Sequence, residues 1–313
     1  MVRVDFMQTF VEVVKAGSLK KAAKKLNMSV SSVSFQINAL EEFYGARLLK
    51  RGVDGVKLTE EGKIALRNIE TILGSIKEAK KLITNIKGEK VIIASGMVGI
   101  NMVFNIQTLL KARYPELDVK VELRGAHECI KGVLNGNYEF AIVGDILEDH
   151  LDSERLYVTE LGQDRLVLIT PINHPLSKKK VVTLDDIIKQ PIVSLTNDYG
   201  ITTSVKKALA NSGIKYEDLN IVSVLGDFFS QLHSVSSGLG VAITSYYAAY
   251  KACEVGLVRI RDIEGFEGDR SIYFVTSKLS MESKKIREYA EFIIKNGRRL
   301  FAELGAECRE LII

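Results

Sequence analysis

The chain has 313 residues, of which 46% are apolar and 26% are charged. This length exceeds one ordinary core and predicts two or three domains, while the ordinary composition excludes a disordered or collagen-like chain. The net charge of +4 is unevenly distributed, because residues 1–58 carry ten Lys or Arg and only five Asp or Glu. This excess favours a polyanionic partner for the amino-terminal segment, although a solvated lysine-rich face would look the same.

The sequence carries no membrane, disulfide or metal signature. The start, MVRVDFMQTF, has no sustained apolar segment, and no stretch approaches the ~18 apolar residues of a membrane span. The three cysteines are scattered, the four histidines form no HExxH pair, and no catalytic constellation is present. We therefore predict a cytoplasmic protein with no membrane partner, no metal, no cofactor and no enzymatic activity.

The first residues predict two short helices. Apolar residues recur at helical spacing over residues 6–14, which indicates an amphipathic helix. Gly17 ends that helix, and Ser18 caps a second one whose outer side carries four lysines. Ser29 then caps a third helix that continues to about residue 44.

The third helix presents small polar side chains opposite its apolar side. Val33, Ile37 and Leu40 cluster on one side at 100° per residue, whereas serines, Asn38 and Phe35 occupy the other. A helix that enters the DNA major groove needs small side chains for close approach and short hydrogen-bonding groups for bases and phosphates. The three helices therefore predict a helix-turn-helix.

A two-stranded wing is predicted at 47–51 and 56–58, around a Gly-rich turn, and its cations suit backbone phosphates. On the third helix, Phe35 suits thymine methyl groups, and the Gln36 amide suits a phosphate or an adenine edge. The candidate DNA-binding residues are Ser29, Ser31, Ser32, Ser34, Phe35, Gln36, Asn38, Lys50, Arg51 and Lys57. The alternative is a winged helix that binds another protein.

A long helix is predicted from Thr59 to about Lys87. Its apolar residues follow intervals that alternate between four and three, which is a heptad pattern typical of helices that pair. The predicted dimer seam comprises Ile69, Ile72, Ile76, Ala79 and Ile83. We expect a homodimer that places two recognition helices on successive major grooves, although packing against the same chain is the alternative.

Beyond residue 89, short apolar strands alternate with helical stretches, which predicts an α/β architecture with largely parallel sheets. A terminal helix is expected from about Ser283 to Leu304. The predicted strands are Lys90–Ala94, Val119–Leu123, Phe140–Val143, Leu166–Ile169, Ile192–Leu195, Ile221–Val224, Val241–Ile243 and Ser271–Thr276.

The segment GSLKKAAKKLNMSVSSVSFQINALEEFYGARLLKRGVDGVKLTEEG resembles the winged helix-turn-helix of LysR-type transcriptional regulators. Farther along, residues 114–117, 132–142, 174–186 and 238–242 are similar to the effector-binding domain of that family. The sequence departs from the family at Phe35, where relatives usually have Arg or Lys, and at Met97, where they commonly have Thr or Ser. The operator sequence therefore does not carry over from relatives.

The resemblance implies a multidomain α and α/β protein. It consists of a winged helix-turn-helix (1–58), a linker and dimerisation helix (59–88) and a periplasmic-binding-protein-like effector domain (89–313). The effector domain has two α/β subdomains, 89–164 with 268–313 and 165–267, with a cleft between them. The implied partners are double-stranded DNA, a small-molecule effector, a second copy in a homodimer or tetramer, and the RNA polymerase machinery.

Ligands of open α/β sheets bind beyond the carboxyl ends of strands, near helix amino ends. The candidate effector-binding residues at such places are Ser95, Met97, Ser194, Thr196, Thr202, Thr203, Gly226 and Asp227. An anionic metabolite would suit the hydroxyl groups, but helix capping explains these residues equally well.

The predicted function is a sequence-specific DNA-binding transcription regulator controlled by a small-molecule effector. Two alternatives stay open: an architectural DNA-binding protein whose sensor no longer binds a ligand, and a cleft-containing enzyme with a DNA-binding appendage.

Overall fold

The computed structural model describes residues 3–52, 55–84, 89–96, 100–144, 154–197 and 200–307. The chain divides into two compact units, Met1–Ile83 with Leu134–Gly136, and Thr84–Val133 with Asn137–Ile313. None of the helices in the described ranges is long and apolar enough to cross a bilayer.

The first unit contains the predicted helices and wing. Each early helix ends in a left-handed residue, Gly17, Asn27 or Gly45, whose positive φ angle turns the chain sharply. The elements are α1 (Val4–Ala16), α2 (Leu19–Leu26), α3 (Val30–Tyr44), β1 (Leu49–Gly52), β2 (Gly55–Leu58) and α4 (Glu60–Thr84).

The core of the first unit joins all four helices to the wing. Phe10 and Val13 of α1 and Val33 and Ile37 of α3 are fully buried, as the apolar periodicity predicts. The start of α4 is held by Thr59, whose hydroxyl accepts from the Gly62 amide at 2.8 Å and donates to the Arg47 carbonyl at 2.7 Å. A Cβ at Gly62 would lie 2.0 Å from the Leu48 carbonyl oxygen, so only glycine fits this approach.

The second unit is built on strands β3–β13 and helices α5–α12. The strands are β3 (Lys90–Ser95), β4 (Asp118–Leu123), β5 (Phe140–Gly144), β6 (Leu156–Thr170), β7 (Val182–Thr183), β8 (Ile192–Leu195), β9 (Ile221–Leu225), β10 (Ala242–Ser245), β11 (Arg259–Arg261), β12 (Ile263–Glu264) and β13 (Asp269–Ser277). The helices are α5 (Ile100–Arg113), α6 (Ala126–Leu134), α7 (Pro175–Lys178), α8 (Leu184–Ile187), α9 (Gly200–Asn211), α10 (Phe228–Ser236), α11 (Tyr246–Glu254) and α12 (Lys284–Glu307).

The main sheet has the order β10-β6-β13-β5-β3-β4, with β11 also paired to β6. The prediction of largely parallel pairing is wrong for this sheet. Strand β3 runs parallel to β4 and β5, but β13 is antiparallel to β5 and β6, and β6 is antiparallel to β10 and β11. The reason is that β6 carries the chain away from β3, β4 and β5, and β13 brings it back beside them. The two strands therefore run in opposite directions.

Strand β6 has different partners at its two ends, and its pairing with β13 contains a register shift between Ile272 and Tyr273. Its residues 156–165 pair with β13, and its residues 166–170 pair with β10 and β11. Strands β8 and β9 form a separate parallel pair over a core that includes Ile187, Leu209 and Val241. The predicted Leu166–Ile169 strand is therefore one end of a much longer strand.

Candidate DNA-binding surface and ligand cleft

The amino end of α3 carries a compact cluster of hydroxyl groups. The Ser29 hydroxyl accepts from the Ser32 amide at 3.0 Å, and it lies 2.8 Å from the Ser31 hydroxyl and 2.7 Å from that of Ser32. All three residues are exposed. Because their side chains are short, the helix backbone at this end is open to a close partner. Ser34 is half-buried and Asn38 is exposed on the same helix.

Two larger α3 side chains, those of Phe35 and Gln36, contact residues of α1. Phe35 is 65% exposed, and its ring meets the Phe6 ring edge-on, with centroids 6.3 Å apart. Gln36 is half-buried, and its Oε1 accepts from the Thr9 hydroxyl at 2.5 Å. The expectation that Phe35 projects outward agrees with its exposure, whereas the α1 contacts have no local signal in the sequence.

The wing brings two lysines together. Lys50 and Lys57 lie directly opposite each other on the antiparallel β1–β2 ribbon, and both are exposed. Like charges in this arrangement destabilise a ribbon, so the pair suits a site that meets anions. Arg51 lies in β1, but its side chain is outside the described residues.

A buried carboxylate that the sequence analysis did not single out connects α3 to the wing. Glu41 is 6% exposed and accepts from the Leu48 amide at 2.8 Å and the Leu49 amide at 3.1 Å. It also pairs with Arg47 at 2.8 Å. Its position eight residues after Val33 places it on the core side of α3, which is the signal that would have identified it.

The predicted dimer seam on α4 is wrong at its first residue. Ile69 is fully buried in the core of its own unit and cannot contact a partner helix. Ile72 and Ile83 are 39% and 69% exposed, whereas Ile76 and Ala79 are half-buried. A heptad pattern alone does not distinguish the turns of a helix that pack on their own chain from those that remain uncovered.

Two predicted effector-binding hydroxyls, those of Ser95 and Thr202, donate hydrogen bonds to main-chain carbonyls. Ser95 is fully buried and donates to the Gly96 carbonyl at 3.0 Å and the Ile142 carbonyl at 3.2 Å. Thr202 is 3% exposed and donates to the Thr196 carbonyl at 3.0 Å. The prediction that these hydroxyls are offered to a ligand is therefore wrong. Met97 lies outside the described residues.

Ser194 and Thr202 line an internal cavity of about 20 Å³, together with Tyr216 and Gln231. The Ser194 hydroxyl is hydrogen-bonded to the Tyr216 hydroxyl. Gln231 is 2% exposed; its Nε2 donates to the Val193 carbonyl at 3.0 Å, while its Oε1 is buried without a hydrogen-bond partner. A cavity of this volume is large enough for one water molecule.

Asp227 is the cap of α10 in this structure, and its prediction as a ligand-selecting acid stays a prediction. Its carboxylate accepts from the Ser230 amide at 2.9 Å and the Ser230 hydroxyl at 2.6 Å. These two hydrogen bonds lower the pKa of the Asp227 carboxyl. Gly226 beside it is exposed, and Thr196 is half-buried, with its amide donating to the Leu225 carbonyl.

A cleft of about 700 Å³ lies beside α9 and the start of β13. Thr203 is exposed and lines it, as do Ser204 and Lys207 of the same helix. Arg270 lines it from β13; its Nε donates to Asp164 at 3.0 Å, and its Nη1 lies 3.5 Å from the Ser204 hydroxyl. The volume suits a small metabolite, and its wall combines the two cations and the hydroxyl groups with the carboxylates of Glu267 and Asp269.

The described cysteines are poorly suited to redox chemistry. Cys129 and Cys253 are both buried. Burial raises the pKa of the Cys129 thiol to about 12, so the reactive thiolate is not formed near neutral pH. Within the described ranges, no cluster of three or more His, Cys, Asp or Glu is placed to hold a metal ion.

Comparison with known proteins identifies the family. A family model described as the bacterial regulatory helix-turn-helix protein of the lysR family matches residues 4–63, and one described as the LysR substrate binding domain matches residues 86–298. An HTH-type transcriptional regulator of Methanocaldococcus jannaschii is 33% identical over 94% of this chain and 99% of its own.

Two solved structures share the fold. Full-length CbnR in complex with its target DNA has a TM-score of 0.54 and 18% identity, over 94% of this chain and 99% of that chain. The CcmR regulatory domain of Synechocystis PCC6803 in complex with 2-PG has a TM-score of 0.59 and 15% identity, over 67% of this chain and 97% of that chain. With an amino-terminal helix-turn-helix and a LysR substrate-binding domain matched in order, this chain belongs to the LysR family of DNA-binding, effector-controlled transcriptional regulators.

Proposed function

We propose that α3 and the wing read operator DNA in this protein. The observation that carries this proposal is the pairing of Lys50 with Lys57 on the wing, next to a recognition helix whose outer residues are small and polar. The lysine pair contacts phosphates, and α3 enters the major groove. The predicted residues Ser31, Ser32, Ser34 and Asn38 belong to this surface, together with Phe35.

We propose that the effector binds in the 700 Å³ cleft beside α9. Thr203 is the predicted effector-binding residue that lines it, and Lys207 is an exposed cation of the same helix. Arg270 is paired with Asp164, and the carboxylates of Glu267 and Asp269 also line the cleft, so Lys207 and the hydroxyl groups are the part of the wall that suits an anionic group. The CcmR regulatory domain, which shares this fold, is in complex with 2-PG, and this is consistent with a small-molecule ligand.

The remaining predictions fit the same regulator. The chain would divide at about residues 58 and 88, pair with a second copy through the exposed part of α4, and act in the cytoplasm without enzymatic activity. Pairing would use Ile72, Ile76, Ala79 and Ile83, because Ile69 is already buried in its own chain. A thiol-based signal is disfavoured, since both described cysteines are buried.

Binding of the full-length protein to a pool of random duplexes tests the DNA-reading surface. We expect enrichment of a short sequence, and Phe35→Ala should change the preferred sequence while leaving the salt dependence of binding unaltered. Lys178→Ala, on α7 in the other unit, is the control. Equal affinity of the wild-type protein for all duplexes would contradict the proposal and favour an architectural role.

A thermal-shift screen of small carboxylates and phosphate esters tests the cleft. A ligand of the proposed class should raise the unfolding temperature of the wild-type protein, and Lys207→Ala should weaken that shift. A complete absence of stabilising anions would favour a protein whose sensor binds no ligand. Chemical turnover of a bound compound would instead favour the enzyme alternative.

A further inference from the structure

Helix α1 holds two consecutive residues of the recognition helix through two of its own side chains. Thr9 donates to the Oε1 of Gln36 at 2.5 Å, and Phe6 meets Phe35 edge-on at 6.3 Å. Phe6 and Thr9 are three residues apart and therefore lie on the same side of α1. Thr9 is 3% exposed, so its hydroxyl is sheltered from water and from DNA.

The Thr9 hydrogen bond limits what the Gln36 side chain can offer. A glutamine amide has one acceptor oxygen and an NH₂ group with two donors. A bidentate contact with adenine needs both, because the oxygen accepts from N6 and the NH₂ donates to N7. That oxygen has two lone pairs, of which the Thr9 hydroxyl occupies one. Because Thr9 is buried, this hydrogen bond also turns the oxygen toward α1, so the NH₂ group is the part of the amide presented to a partner.

We propose that Thr9 is a specificity-determining positioning residue that makes Gln36 a hydrogen-bond donor only. Gln36 then donates to an acceptor such as purine N7, guanine O6, thymine O4 or a phosphate oxygen. It does not select adenine through the bidentate contact that a free glutamine amide makes. This inference rests on the proposal that α3 reads DNA, and it assigns a role to a residue that never touches the DNA.

Thr9→Val tests the inference because valine keeps the shape of threonine and lacks the hydroxyl. Full-length wild-type protein, Thr9→Val, Thr9→Ser and Gln36→Ala are each selected on random duplexes. In Thr9→Val the freed oxygen should create a new adenine preference at one base pair, of about fivefold or more. Thr9→Ser retains the hydroxyl and should give the wild-type sequence.

The double variant Thr9→Val/Gln36→Ala separates positioning from a general structural effect. If Thr9 acts through Gln36, the double variant should select the same sequence as Gln36→Ala alone. A change caused only by loosening of α1 would persist in the double variant and would overturn the inference. So would a Thr9→Val preference identical to the wild type where Gln36→Ala alters it.

A second measurement uses only the wild-type protein and remains decisive if Thr9→Val unfolds. Each adenine of the selected sequence is replaced in turn by purine, which lacks the 6-amino group but retains N7. A donor-only Gln36 predicts that the binding loss caused by any such replacement is the same in wild type and Gln36→Ala. A loss that disappears in Gln36→Ala would show that its oxygen accepts from N6 and would overturn the inference.

If the proposal that α3 reads DNA is wrong, the same duplex selections give a different result. If α3 does not read DNA, the wild-type protein selects no sequence and Gln36→Ala changes neither affinity nor preference. That result would overturn both proposals, whereas an unaltered Thr9→Val preference on a sequence-selective protein overturns only the role of Thr9.

Discussion

In the winged-helix unit, the predicted polar residues Ser31, Ser32 and Asn38 are exposed, whereas in the carboxyl-terminal unit Ser95 and Thr202 are buried and hydrogen-bonded to main-chain carbonyls. The two sets look alike in sequence, since each is a run of small hydroxyl or amide residues near a helix start. In α3 they lie opposite the apolar side and are exposed. In the other unit Ser95 ends β3 and Thr202 lies in the first turn of α9, where an unsatisfied buried carbonyl is costly and the hydroxyl supplies its donor.

Charges show the same contrast. Lys50 and Lys57 are exposed on the wing, while Arg270 is 7% exposed and faces the equally buried Asp164. Exposed cations contribute little to folding, whereas a buried pair that loses one member leaves an uncompensated charge. Charge substitutions in the two units should therefore have opposite consequences for stability and for binding.

The largest effect is expected for Arg270→Leu, which leaves Asp164 buried without its cation. We expect a loss of about 3–5 kcal/mol in the free energy of unfolding, measured by urea denaturation of the full chain. The double variant Asp164→Leu/Arg270→Leu should recover much of this loss. Equal stability of Arg270→Leu and wild type would show that the buried pair does not make charge substitutions in the second unit more destabilising than those on the wing.

A smaller effect is expected for Ile72→Glu on α4. A carboxylate in an apolar seam should weaken the dimer by about 3 kcal/mol, or roughly a hundredfold in the dissociation constant, measured by sedimentation. Thr71→Glu adds the same charge on an adjacent exposed position and serves as the control. An unchanged sedimentation mass in Ile72→Glu would place the self-association surface elsewhere.

Lys57→Ala tests the wing without disturbing the core. The slope of log affinity against log salt should become shallower by about one, uniformly across duplex sequences, because one phosphate contact is lost. Lys178→Ala, on α7 in the other unit, should leave the slope unchanged. A sequence-dependent loss in Lys57→Ala would mean that the wing contacts bases.

The smallest effect is expected for Asp227→Ala, which removes the cap of α10 at a cost of about 1 kcal/mol, measured by thermal unfolding. The Ser230 hydrogen bonds lower the pKa of Asp227 in the folded state. The cap therefore contributes fully above the ordinary aspartate pKa, and its contribution is lost as the pH falls through the lowered value. Asp227→Asn should retain the cap without this acid sensitivity; loss of ligand binding with unchanged stability would restore Asp227 to the effector site.

Local patterns were sufficient for much of the fold. The α3 boundaries follow from the Ser29 cap, the 3.6-residue spacing of Val33, Ile37 and Leu40, and the left-handed Gly45. Strands β3, β4 and β5 are apolar runs bounded by turns and were predicted to within one or two residues. These features depend on neighbours in the chain, which the sequence displays directly.

Features that depend on distant residues were not predictable in this way. The direction of β13 depends on the return of the chain after about a hundred residues, and the burial of Ile69 depends on the helices that pack over it. Likewise, Asp227 as a cap and Asp227 as a ligand have the same sequence context. Only the positions of the Ser230 amide and hydroxyl distinguish the two.

The Glu41 carboxylate has a consequence for the length of DNA that one subunit recognises. Its hydrogen bonds to the Leu48 and Leu49 amides attach the first wing strand to the carboxyl end of the recognition helix. In the proposed DNA complex, the spacing between the groove that α3 would enter and the phosphates that the wing would contact is then constant rather than adjustable. If one base pair is inserted into a half-site between those two contacts, one subunit can make only one of them.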